Sequence, residues 1–206
     1  MRLLLFLLLS AILMGCKESS FKSEWTKKQA PETFSVRFET TKGNFEIEVK
    51  RKWSPTAADR LYQLIEHGFY DNAIFYRVVP HFVAQFGNTD TIQLNQWRSV
   101  KIPDEPVIHG NKRGTIAFAR YGIASRDAEL FINLVDNPVL DTLDFEGVKG
   151  FPALGTITKG KEVVDGLYSG YGEKTMTDSD LYLRRESFYK SFPHLDIIKK
   201  AYLIAN

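Results

Sequence analysis

The stretch FYRVVPHFVAQFG, residues 75–87, decides how the rest of the chain is read. It sets aromatic and β-branched residues around one arginine, Arg77, and breaks at Pro80. Proline cannot donate to a sheet ladder, so the stretch reads as two short strands with a turn between them. Side chains alternate along a strand, which puts Phe75, Arg77 and Val79 on one face. An arginine between two apolar neighbours is either a rim residue reaching water or a charge held at a concave site. Phe82, Val83 and Phe131 are likewise core packing or pocket lining, and periodicity leaves both readings open.

Outward from this stretch the chain alternates short strands with little helix. Residues 34–39 and 45–49 each alternate apolar and polar, and Lys42-Gly43-Asn44 is a turn, which predicts a β-hairpin. Ser54-Pro55 predicts a helix with a hydroxyl cap and a proline in its first turn. Ala57, Leu61, Leu64 and Ile65 form its apolar stripe, and Gly68 ends it. Residues 114–119, 130–134 and 154–157 read as strands, with a polar loop over 120–129 and a helix over 161–168. Residues 195–204 are a closing strand or a helix. One domain of short strands and two helices suits a closed barrel or a sandwich, and a barrel leaves no exposed edge.

The beginning of the chain concerns location. Arg2 precedes an apolar run of thirteen residues, 3–15, which fits a secretory leader and falls short of the roughly 20 residues of a membrane-spanning helix. Cys16, the only cysteine, follows at once, and Leu13-Met14-Gly15-Cys16 resembles a bacterial lipobox. The expectation is cleavage after residue 15, lipidation of Cys16 (palmitate among the acyl chains), and anchoring in the cell envelope outside the cytoplasm. Residues 16–33 are polar and aperiodic, and read as a tether. The domain then runs over 34–206, with a C-terminal extension from about 169.

Several chemistries are excluded or disfavoured. Charges nearly balance, 27 Lys and Arg against 25 Asp and Glu, and no basic run exists, so nucleic acid is not an expected partner. His67, His81, His109 and His194 lie at no ligand spacing, so no metal is expected. Residues 155–161 follow G-x-x-x-x-G-K, but Glu162 stands where a magnesium-binding hydroxyl is needed, which leaves a turn entering a helix. No cofactor is implied.

Residues 75–87 resemble the F-H-R-V-I-x-x-F-M-I-Q-G-G pattern of the cyclophilin-type peptidyl-prolyl isomerases. Four further matches follow in order: residues 113–120 (RGTIAFAR), 130–133 (LFIN), 137–141 (NPVLD) and 150–155 (GFPALG). The resemblance spans about 34–168. It implies a mainly β fold, a closed eight-stranded antiparallel barrel capped by two helices, with the site on its outer surface. It further implies that Arg77 is catalytic, that Phe82, Val83, Phe131 and Leu140 line a proline pocket, and that Gln85, Glu129 and the backbone at Ala119 hold the peptide. The implied partner is a proline-containing polypeptide, met by a monomer.

Three positions and one loop depart from the family pattern. Glu129 replaces the usual glutamine, and there a carboxylate either steadies Arg77 or holds it from substrate. That residue favours a rival reading, a proline-peptide binding or chaperone module without turnover. Val139 replaces a common aromatic, which predicts a more open rim beside Leu140. Phe86 replaces a glycine and is expected to reshape the turn after Gln85. The loop over 121–127 is unlike the usual one. A third reading, a lipid-anchored solute-binding protein, requires a deep internal pocket.

Overall fold

The computed structural model describes residues 21–87 and 90–205, so the leader and Cys16 lie outside the described residues. Strands β1 (Thr33–Thr40) and β2 (Gly43–Lys50) form the predicted hairpin. Helix α1 (Pro55–Glu66), β3 (Ala73–Val78), β4 (Val83–Gly87) and helix α2 (Thr91–Arg98) follow. Next come β5 (Thr115–Phe118), β6 (Leu130–Asn133), the single turn α3 (Val139–Thr142) and a two-strand hairpin, β7 (Asp144–Phe145) and β8 (Val148–Lys149). The chain continues through β9 (Ala153–Lys159), α4 (Lys161–Asp165), α5 (Arg185–Ser191) and β10 (Ile197–Ile204).

Eight of these strands close an antiparallel barrel in the order β1-β10-β3-β4-β6-β5-β9-β2. Residues 195–204 therefore contain a strand rather than a helix. β10 pairs with β1 on one side and β3 on the other, which seals the sheet. Along β1, Phe34, Val36 and Phe38 point inward and their neighbours outward, as the alternation required. Aromatic rings fill the interior. Phe38 stacks on Phe45 at 4.7 Å, and Phe86 meets Phe75 at 5.0 Å and Tyr70 at 5.6 Å. Phe86 thus serves the core rather than the turn after Gln85. These rings pack the barrel interior with side chains, as small barrels do.

Helix α1 lies against β9 and β10, and α4 against β2. The helix expected over 161–168 stops at Asp165, capped by Gly166. The cap of α1 differs from expectation. The Ser54 hydroxyl makes no bond to the first helical turn. It donates instead to the carboxylate of Glu105, and Glu105 accepts the Thr56 amide at 2.8 Å. Arg126, only 1% exposed, lies against the same carboxylate at 3.1 Å. A distant acid therefore neutralises a buried cation and a helix N-terminus together.

Two segments lie closer to the barrel than the sequence suggested. The expected tether is docked from Phe21 onward. Trp25 stacks on His67 at 3.7 Å, and the Ala30 amide donates to Asp59 at 2.8 Å. Apolar contact outweighs the polar look of this stretch, because Phe21 and Trp25 pack on the core. Residues from 169 onward are no trailing extension either, since they include β10. The stretch 169–196 is an insertion before that last strand. Leu181, Phe188, Phe192 and Leu195 from it build a second apolar cluster on Ile74 and Tyr76.

Burial by itself would raise the Glu105 carboxyl, but the bonds from Ser54 and Thr56 and the charge of Arg126 pull it below the ordinary range. Glu105→Ala is expected to lose about 3 kcal/mol of unfolding free energy in urea titrations. A lowered carboxyl stabilises the fold above its unfolded value of about 4.3, and that contribution fades as pH falls through the folded value. Wild type and variant therefore converge in acid.

Candidate active site

Arg77 owes its direction to a backbone irregularity. Ile74 pairs with Gly87 and Arg77 with Gln85, so the register slips by one residue between them. Such a bulge lets two successive side chains leave on the same face. Phe75 and Val78 point into the barrel, whereas Tyr76 and Arg77 both face outward. The strict alternation expected for Phe75, Arg77 and Val79 is thus broken, and Arg77 stands on the outer wall, opposite Phe75.

Beside it lies an open hollow of about 420 Å³, lined by Phe82, Val83, Gln85, Ala119, Phe131 and Leu140 among others. Its floor is apolar: Val83, Ala117, Phe131, Leu140 and Phe151 pack as one cluster, and Phe131 meets Phe151 edge-on at 5.9 Å. β4 and β6 deliver Val83, Gln85 and Phe131 because Gln85 pairs with Phe131 across the ladder. Arg77 lies over the Phe82 ring at 5.5 Å. Its Nη1 donates to Gln85 Oε1 at 3.1 Å, and Gln85 in turn donates to the buried Tyr76 hydroxyl at 2.7 Å. Ala119 is at the wall, but its amide already donates to the Glu129 carbonyl at 2.8 Å. That N–H is therefore already engaged within the barrel.

Glu129 is not at the hollow. It is buried on the same outer face, where it accepts the Tyr182 hydroxyl and lies 3.7 Å from Arg98. The insertion covers it, which neither of the two roles weighed for it foresaw. Burial raises its carboxyl above the ordinary range. Val139 is 57% exposed, and the rim beside Leu140 is formed by Leu143 and Phe145.

The acid that does meet Arg77 is Glu173, from the insertion. Nε donates to Oε2 at 2.8 Å and Nη2 to Oε1 at 2.6 Å, a two-bond fork. Those hydrogen bonds draw the Glu173 carboxyl below its usual range. Met176, one turn on, adds to the wall. No sequence signal marked either residue, because both lie beyond residues 34–168, over which the motifs were read. Arg120 and Phe151 were inside matched stretches and are the more legible omissions. Arg120 caps the Phe151 ring at 3.9 Å and donates to the Val148 carbonyl at 2.6 Å. Among the described residues no cluster of three His, Cys, Asp or Glu could hold a metal. His67 and His109 are stacked on Trp25 and Trp53 instead.

The profile of the cyclophilin-type peptidyl-prolyl cis-trans isomerases matches residues 35–183. A peptidyl-prolyl cis-trans isomerase of Acinetobacter baylyi is 33% identical over 133 residues, covering 63% of this chain and 69% of that one. The peptidyl-prolyl cis-trans isomerase A of Dickeya dadantii is 32% identical over 135 residues, covering 63% and 68%. The crystal structure of a cyclophilin-type isomerase of Cryptosporidium parvum has the same fold, with a TM-score of 0.61 at 19% identity over 84% of this chain and 99% of that one. The chain belongs to the cyclophilin-type peptidyl-prolyl cis-trans isomerase family, which is not one of solute-binding proteins. Its activity is the isomerisation of X-Pro peptide bonds.

Glu129→Gln is expected to leave the isomerase rate within about twofold, because the residue lies under the insertion and not at the hollow. Its effect is on stability. A carboxyl raised by folding costs stability once pH exceeds its unfolded value, so removing it flattens the decline expected from about pH 4 toward neutrality. Chemical denaturation at several pH values checks this.

Proposed function

We propose that Arg77 is the catalytic residue and that the apolar hollow beside it seats the proline ring of a polypeptide outside the cytoplasm. The observation that carries this reading is the outward-facing guanidinium at the edge of a pocket floored by Val83, Phe131 and Leu140.

The chemistry asks little of such a site. Rotation about an amide is opposed by resonance, with a barrier of roughly 18–20 kcal/mol. Twisting the bond ends the resonance and leaves a lone pair on the prolyl nitrogen. A guanidinium directed there binds the twisted form better than either planar isomer, and that difference lowers the barrier. Raising an uncatalysed rate near ~0.01 per second to ~10 per second is a thousandfold, or roughly 4 kcal/mol. One preorganised donor toward developing charge supplies roughly 2.7–4 kcal/mol. Arg77 and a shaped pocket therefore suffice, without nucleophile, proton transfer or metal. The rival reading, binding without turnover, drew on a carboxylate at position 129 beside Arg77; Glu129 accepts from Tyr182, and the carboxylate that pairs with Arg77 is Glu173.

The location rests on the sequence: an apolar run followed at once by Cys16. In this reading Cys16 carries the lipid, the docked strap from Phe21 starts a few residues later, and the isomerase works on secreted or envelope polypeptides close to the membrane.

Arg77→Ala should lower kcat/KM on a proline-containing chromogenic peptide by tens-fold or more, with the melting transition unchanged. Undiminished rates in the coupled proteolysis assay would remove Arg77 from the mechanism. Cys16→Ser should move the protein from the membrane fraction to the soluble one, and retention in the membrane would refute the anchor.

A further inference from the structure

Arg77 is held by a residue that the barrel does not supply. We infer that Glu173, on the insertion before the last barrel strand, is a positioning residue for Arg77, so that the insertion is part of the active site. This inference rests on Arg77 being the catalytic group.

A guanidinium carries five N–H donors in one plane. Glu173 takes one on Nε and one on Nη2, and Gln85 takes one on Nη1. Among the described residues, this leaves one N–H on each Nη for a bound peptide. The carboxylate thus occupies the Nε–Nη2 edge of the group, so a substrate that meets the remaining donors need not break the fork. Two parallel bonds fix the plane of a planar cation, which a single bond from Gln85 cannot do.

The segment that carries the carboxylate is anchored to the barrel. The Thr175 hydroxyl, fully buried, donates to the Tyr76 carbonyl, and the Met176 amide donates to the Glu173 carbonyl at 3.0 Å. Tyr182 is tied to Glu129, and Leu181 and Phe188 pack on Ile74 and Tyr76. The chain that follows Glu173 is therefore fixed to the face that carries Arg77. Charge cancellation is limited by where each group sits. The Glu173 side chain is 59% exposed, whereas that of Arg77 is 19% exposed. Water screens the acid more than it screens donors facing an apolar hollow.

The test uses the full chain and four proteins beside wild type: Glu173→Ala, Glu173→Gln, Arg77→Ala and the Arg77→Ala/Glu173→Ala double variant. kcat and KM are measured separately on a proline-containing chromogenic peptide, and melting temperatures are recorded. Loss of a positioning contact should lower kcat about fivefold in Glu173→Ala with KM within about twofold. Glu173→Gln keeps an acceptor and should retain more than half the wild-type kcat. The double variant should be no slower than Arg77→Ala, because Glu173 acts only through that arginine. An unchanged or faster Glu173→Ala enzyme overturns the inference, the latter marking the fork as a brake. A double variant slowed by the full product of the two single effects also overturns it. If Arg77→Ala alone leaves the rate intact, the catalytic assignment itself has failed, whatever Glu173 does.

Discussion

One extra residue in β3 sets the character of the outer wall. Between Ile74 and Arg77 the strand takes a step its partner does not, and Tyr76 and Arg77 leave on the same side. Tyr76 becomes the seat of the insertion and the partner of Gln85, while Arg77 becomes the edge of the hollow. Regular pleating would have sent one of them among the phenylalanines of the interior, where a guanidinium is costly to desolvate. The bulge thus reconciles an aromatic barrel core with a cation on its surface.

Around that step the molecule divides its labour. The barrel interior supplies rigidity through close-packed rings and takes no part in the chemistry. The outer face of β4 and β6 supplies shape, through Val83 and Phe131. Segments outside the barrel ladder supply the remaining walls: the β7–β8 hairpin gives Phe145, and the insertion gives Glu173 and Met176. A site with one charged group and no covalent step depends on such walls, because orientation and exclusion of water are most of what it provides.

Legibility in the sequence followed the range of the interactions. The β1–β2 hairpin, helix α1 and the strands β3, β4, β5, β6 and β9 were readable, because alternation, Gly43 and Ser54-Pro55 are local signals and the ordered motifs are family ones; the short β7–β8 hairpin was not. Phe82, Val83, Gln85, Phe131 and Leu140 were found through those motifs and do converge on the hollow. What escaped was set by contacts across the chain. Glu105 takes over the cap of α1 from 51 residues away in sequence. Glu173 reaches Arg77 from 96 residues away. The bulge in β3 escaped because period-two reasoning assumes a regular pleat. The strap at Trp25 escaped because two aromatic anchors were hidden among lysines and serines.

The position of β10 bears on the order in which the molecule is assembled. Thr41, at the end of the first hairpin, meets Ile197 across 156 residues of chain. The gap between β1 and β3 stays open until that late segment arrives, and a loop of this size closes at a large entropic cost before its contacts repay it. During synthesis the first hairpin must therefore wait with an unpaired edge. The turn that carries Glu173 precedes β10 in the chain, so its neighbours are locked only when the sheet is sealed. A nascent copy would hold the motif residues long before it held the finished wall around them, and its ability to act on other chains would come last.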